Sequence, residues 1–97
     1  MYNVLKTLKA NGDLDNIADY IAKDSPYRAI SFVQEMINNF QNKVSLFPKA
    51  GMKCNDFYFT VYQGYYIFYD IYEHKQEILI VRIINSAQYT EYKGFVE

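Results

Sequence analysis

Residues 57–72 read Phe57-Tyr58-Phe59-Thr60-Val61-Tyr62-Gln63-Gly64-Tyr65-Tyr66-Ile67-Phe68-Tyr69-Asp70-Ile71-Tyr72, and this stretch decides the fold. Of the chain's 11 Tyr and 7 Phe, nine fall inside it. β-Branched and aromatic side chains suit a pleated surface, and here they alternate with a period of two. Gln63-Gly64 is short enough for a tight hairpin, so strands are expected near Phe57–Tyr62 and Tyr65–Tyr72. Downstream, the polar connection Glu73-His74-Lys75-Gln76-Glu77 leads into a third strand near Ile78–Ile84. Short links imply antiparallel neighbours.

Upstream the period changes from 2 to 3.6. Ala29, Phe32, Val33, Met36, Ile37, Phe40, Val44 and Phe47 form a stripe spaced by threes and fours, the signature of an amphipathic helix. Ser25-Pro26 reads as its N-cap and first residue, because proline has no N–H to lose there. Pro48-Lys49-Ala50-Gly51 ends it. Before that helix, Leu14, Ile17, Ala18 and Ile21 predict another, ending near Asp24. Asn11-Gly12 breaks the pattern ahead of it and Asp13 is placed to cap it, with Asp15 and Asp19 in solvent near its positive end. Tyr2–Leu8 alternates weakly and fits an edge strand, which is also a docking position. The expected order is β-α-α-β-β-β: an α+β domain in which an antiparallel sheet is covered by a two-helix hairpin.

At 97 residues the chain has the size of one domain able to bury its own core. Hydrophobic residues make up 51% and charged residues 22%, which excludes a globally disordered chain. Cys54 is the single cysteine, so no internal disulfide forms, and no Cys/His spacing supplies a metal site. The N-terminus mixes Lys6 and Lys9 with Asn3 and Thr7 and lacks the apolar core of a signal peptide. No segment approaches the run of about 18 apolar residues that a membrane helix requires. A reducing, cytoplasmic setting is expected, with no membrane partner, metal or cofactor. A net charge of −1 speaks against a domain that grips nucleic acid by phosphate neutralisation alone.

Several short motifs, correctly spaced, resemble one family. Thr7, Ala10, Asp13-Leu14, Ile17 and Tyr20-Ile21 look like a T-x2-A-x2-DL-x2-I-x2-YI opening. Pro26, Ala29 and Phe32 look like a P-x2-A-x2-F helix start, and Leu46-Phe47-Pro48 with Gly51 like an L-x-P-x2-G link. Tyr65-Tyr66-Ile67-Phe68-Tyr69 resembles a Y-x-IFY strand and Val81-Arg82-Ile83-Ile84 a V-R-I-L strand. These are motifs of the RelE/ParE-type toxins of bacterial type II toxin–antitoxin systems, and the resemblance covers nearly the whole chain. It implies a growth-inhibiting toxin of the plasmid-stabilisation kind, neutralised by a cognate antitoxin. The target is mRNA on the ribosome for RelE-like members and DNA gyrase for ParE-like ones.

The two branches make different demands on the residues. Metal-independent cleavage of mRNA needs cations around a pentacovalent phosphate and a group to take the 2′-hydroxyl proton. Arg82, Lys53 and Tyr89 are the candidates. Yet Phe57-Tyr58-Phe59-Thr60 lacks the basic residue often found there in the family, leaving Lys53 as the nearest cation. The tail Asn85-Ser86-Ala87-Gln88-Tyr89 stands where many ParE-like members carry a pattern like H-G-A-R-D. Binding a target protein needs no self-contained acid–base site. The expectation is therefore a ParE-like toxin whose target-binding residues are Arg82, Asn85, Gln88 and Tyr89. A RelE-like endonuclease and a degenerate, non-toxic relative are the alternatives.

Each singled-out side chain has a plainer reading beside the functional one. Arg82 is a cation facing a target, or a solvent position imposed by alternation between buried Val81 and Ile83. His74 is a proton carrier, or a solvated loop residue among Glu73, Lys75 and Glu77. Tyr58, Tyr62, Tyr65, Tyr66, Tyr69 and Tyr72 stack bases, pack the sheet, or line a groove for another chain. Tyr89 and Tyr92, with Lys93 nearby, are phenolic acid/base groups or anchors of the tail. Cys54 beside Lys53 is an activated thiol or an incidental one.

Overall fold

The aromatic hairpin forms where the alternation puts it. In the computed structural model, which describes residues 1–86, β3 (Phe57–Tyr62) and β4 (Tyr65–Tyr72) pair antiparallel, with Tyr62 opposite Tyr65. Gln63 and Gly64 take φ of 44° and 86°, the left-handed pair that matches the twist of a two-residue hairpin. Around it stand β1 (Asn3–Lys6), α1 (Leu8–Ala22), α2 (Pro26–Val44), a 3-10 turn (Pro48–Ala50), β2 (Met52–Cys54) and β5 (Glu77–Asn85). The sheet order is β1-β5-β4-β3-β2.

Four expectations are corrected. The sheet is not antiparallel throughout, because β1 runs parallel to β5; the whole fold intervenes between them, so the short-link argument does not reach that pair. Residues 52–54 add a short strand that too few residues made visible. The first helix starts at Leu8, not at Asp13, because Thr7 ends β1 and its hydroxyl accepts the Ala10 N–H at 3.0 Å. Asn11-Gly12 thus lies inside the helix. It ends at Ala22, and Asp15 and Asp19 are exposed beyond its first turn. Phe47 leaves the stripe of α2 and is 70% exposed, since the helix stops at Val44. At the other end Ser25 and Pro26 serve as N-cap and first residue as expected, the Ser25 hydroxyl accepting the Arg28 N–H at 3.2 Å.

The helices cover one face of the sheet. Leu14 and Ile17 of α1 and Phe32, Met36, Phe40 and Val44 of α2 meet Ile67 and Tyr69 of β4 and Ile78, Ile80 and Ile83 of β5 in one core. Burying each large side chain there contributes about 1.5–3 kcal/mol. Phe32 sets its ring edge-on to Tyr62 and Tyr65, at 5.6 and 5.8 Å, and Phe40 does the same to Tyr69 at 5.1 Å. On the opposite face Phe68 and Ile84 gather Cys54, Phe59, Tyr66 and Val81.

Between β4 and β5 the register slips: Tyr69 faces Ile80 but Phe68 faces Arg82. Val81 is the extra residue of this bulge, so the inward phase passes from Ile80 to Ile83 and Val81 is only half-buried.

Candidate functional site

The bulge lies where β5 loses its outer neighbour. Pairing with β1 ends at Lys6 opposite Ile80, while β5 runs on to Asn85. Unpaired backbone groups on a buried edge are costly, and side chains at the start of α1 take the place of a strand. The Thr7 N–H donates to the Ile80 carbonyl at 3.0 Å, and its hydroxyl donates to the Val81 carbonyl at 3.0 Å. Nearly two turns further along α1, Asp13 Oδ2 accepts the Ile83 N–H at 2.9 Å.

The same carboxylate holds Arg82. Its Nε donates to Asp13 Oδ2 at 2.9 Å and its Nη2 to Oδ1 at 3.1 Å, a two-pronged, charge-assisted contact. The two side chains are 15% and 13% exposed. Arg82 is therefore neither a solvent position dictated by alternation nor a cation on an open sheet surface. Its guanidinium joins α1 to β5 and fixes the exit of the strand toward Asn85. Asp13, expected as a helix cap, is the partner that the reading of the sequence missed.

A second group of hydrogen bonds holds the link from α2 into the sheet. The Tyr69 hydroxyl donates to the Pro48 carbonyl at 2.7 Å and accepts the Gly51 N–H at 3.1 Å. Burial pushes the Tyr69 hydroxyl pKa above its ordinary value against the lowering effect of the Gly51 N–H, and Tyr58 adds to the rise. Gly51 has no room for a side chain, since a Cβ there would stand 2.6 Å from the Phe59 carbonyl oxygen and from the Tyr69 hydroxyl.

The remaining candidates are scattered. Lys53 lies on β2 with its ammonium 4.8 Å from the centre of the Tyr58 ring. Two strands separate β2 from β5, a span of three strand spacings or roughly 14 Å, so Lys53 and Arg82 do not converge on one phosphate. His74 is exposed in the β4–β5 turn. Tyr69 is buried in the helix-covered core, and Tyr58, Tyr62 and Tyr65 pack against that core partly buried; Tyr66 packs with Phe59 and Phe68 on the other face, and Tyr72 is exposed. Cys54 is half-buried beside that second cluster. Asn85 ends β5 and is half-buried. Gln88, Tyr89 and Tyr92 lie outside the described residues. Among the described residues no three His, Cys, Asp or Glu side chains group as metal ligands, and no helix is long and apolar enough to cross a membrane.

This architecture is similar to that of solved toxins. A chain of the chromosomal ParDE toxin–antitoxin system of P. aeruginosa superposes with a TM-score of 0.71 at 22% identity, over 88% of this chain and 96% of that one. A chain of the intact E. coli RelBE toxin–antitoxin complex gives 0.60 at 14% identity, over 88% and 96%. The isolated E. coli RelE toxin gives 0.60 at 16% identity over the full length of both chains. At such identities the likeness is one of fold. No curated protein sequence matches this one. A family model does, that of the ParE toxin of the type II toxin–antitoxin system parDE, and it matches residues 4–89, from β1 through the end of β5 and beyond. By that match the chain belongs to the ParE toxin family.

Proposed function

We propose that this toxin acts in the cytoplasm by binding DNA gyrase, and that a cognate antitoxin holds it inactive until the antitoxin is lost. The observation that carries the reading is the commitment of Arg82. A RelE-like nuclease needs free cations around the scissile phosphate. Here the arginine of the last strand is bound at both prongs to Asp13, and Lys53 lies across the sheet. A toxin that works by occupying its target needs instead a rigid strand end that presents a recognition segment. In this reading Arg82 holds that end in place, and Asn85, Gln88 and Tyr89 contact the target. Neutralisation by an antitoxin agrees with the solved relatives, two of which come from toxin–antitoxin systems.

The test is induction of the chain alone in a bacterium, followed by purified gyrase supercoiling assays. The expected outcome is growth arrest with DNA-damage signalling, intact mRNA and inhibited supercoiling. Rapid mRNA cleavage with unaffected gyrase would instead establish the nuclease, and normal growth would mark a toxin that has lost its activity. Exchanging Gln88 and Tyr89 for Ala is expected to abolish arrest while leaving the fold intact by circular dichroism.

A further inference from the structure

The sheet face turned away from the helices is sealed at a place that no described element covers. Both helices pack on the other face, and the cluster around Phe68 and Ile84 contains no helical residue. Strand side chains stand roughly perpendicular to their sheet, so neighbours on the same face close off the flanks of a side chain and leave its outer end open. Phe68 and Ile84 are nevertheless 0% and 2% exposed, as closed as Phe40 and Ile80 beneath the helices. Around them the same face is bare, with Leu5, Met52, Val61 and Tyr72 between 42% and 58% exposed. A second layer would have covered these as well. The cover is therefore narrow, the width of one segment lying across the middle of the sheet.

The chain itself has such a segment at the right place. The Ser86 N–H donates to the Gly64 carbonyl at 2.7 Å and pins the exit of β5 against the β3–β4 turn. At that end of the sheet Ile84 lies opposite Tyr66. Residues 87–97 follow. Fully extended they reach roughly 36 Å, and wound as a helix roughly 16 Å. The path from β5 over Phe68 and Phe59 to Cys54 on β2 crosses three strand spacings, about 14 Å. Either form reaches. The segment also carries what the seat needs: Tyr92, Phe95 and Val96 stand at i, i+3 and i+4, a spacing that gathers apolar side chains on one side, while Thr90, Glu91 and Lys93 are left for water.

We infer that the C-terminal segment of this chain is a strap over the open sheet face, with Tyr92 and Phe95 seated on Phe68 and Ile84. The strap is held at two points, at Ser86 by the Gly64 carbonyl and at Tyr92 and Phe95 by the apolar face. Gln88 and Tyr89 lie between those points. A short bridge fixed at both ends loses less entropy on meeting a partner than a free tail does. The seat itself is independent of any target; only this consequence, that the strap presents Gln88 and Tyr89, rests on the function proposed above.

The experiment uses the whole chain in dilute solution. Nuclear Overhauser contacts are expected from the Tyr92 and Phe95 rings to the Phe68 ring and the Ile84 methyl groups. Cys54, the single thiol, packs beside that cluster and reports the cover by its rate of reaction with a disulfide reagent. Tyr92→Ser with Phe95→Ser is expected to speed that reaction on the order of tenfold, since two large apolar side chains lose their seat, and Phe95→Leu in place of Phe95→Ser to restore most of the protection. The absence of tail-to-sheet contacts, contacts to the helices instead, or an unchanged Cys54 rate in the double variant would overturn the strap. So would contacts that isotope filtering shows to be intermolecular, since a second copy would then be the cover. The contacts in the unaltered chain answer even if a variant fails to fold. Growth arrest by a chain whose tail is unseated would refute the strap alone, and a seated tail in a harmless chain would refute the toxic activity alone.

Discussion

Replacing Arg82 by Ala separates a clamp from a surface cation. The guanidinium makes two charge-assisted hydrogen bonds to Asp13, at 2.9 and 3.1 Å, with side chains 15% and 13% exposed. Removing one partner of a buried pair typically costs about 3–5 kcal/mol, because the other charge is left desolvated. Here Asp13 keeps the Ile83 N–H, so the lower end applies and Arg82→Ala is expected to cost ~3 kcal/mol. Asp13→Ala takes away that acceptor as well and is expected to cost about 1 kcal/mol more, the usual contribution of such a hydrogen bond. For a domain of this size each kcal/mol moves Tm by about 4–8 °C, so Arg82→Ala lowers it by ~12–24 °C. Urea unfolding followed by circular dichroism measures both, and the double variant closes a cycle whose expected coupling is about 1.5–3 kcal/mol. Losses below about 1 kcal/mol, the range of exposed pairs, or additive single effects would refute the clamp and return Arg82 to the surface.

Gly12 lies inside α1, and a Cβ there meets nothing within 4 Å; Gly12→Ala is expected to raise stability by about 0.5–1 kcal/mol in the same urea assay. Gly51→Ala has the opposite sign, because its methyl would meet the Phe59 carbonyl oxygen at 2.6 Å, with an expected loss of about 1–3 kcal/mol. Tyr69→Phe leaves Gly51 N–H and the Pro48 carbonyl without their partner and is expected to cost about 1–3 kcal/mol. Because the folded pKa of Tyr69 is raised, its stabilisation is complete below the ordinary value of 10.0 and is lost as pH rises beyond it. Stability measured against alkaline pH should therefore fall more steeply in the unaltered chain than in Tyr69→Phe, and parallel curves would disprove that assignment. Thr7→Val removes both the cap on Ala10 and the bond to Val81, an expected loss of about 1–2 kcal/mol read as a lowered Tm.

How far the chain could be read without its structure depended on the range of the interaction involved. The β3–β4 hairpin, the α2 N-cap at Ser25-Pro26 and the apolar stripe from Ala29 to Val44 were legible because each is a local pattern, set by backbone preference and by a period of two or 3.6. The family was legible for a related reason, since its motifs preserve those local patterns in order. The same motifs held a further signal that went unread. Arg82 is a charged position in the otherwise apolar run Ile78–Ile84, Tyr69 brings a hydroxyl into an apolar strand, and Thr7 and Asp13 are polar positions of the opening motif. In the structure they meet across sequence separations of 69 between Asp13 and Arg82 and 74 between Thr7 and Val81.

Those pairings belong to tertiary structure alone. Alternation along β5 assigned Arg82 to solvent, but a bulge at Val81 shifted the phase, and only a three-dimensional neighbour could supply the carboxylate. Asp13 next to Gly12 looked like a helix start by local rules. Thr7 capped the helix six residues earlier because β1 had to end where β5 needed side-chain acceptors and donors in place of a strand. Local sequence determined which elements form, since backbone propensity and hydrophobic period act over a few residues. Which polar groups become fixed, and which remain available to a partner, was decided by packing, because an edge hydrogen bond or a buried charge is satisfied by whatever the fold brings beside it.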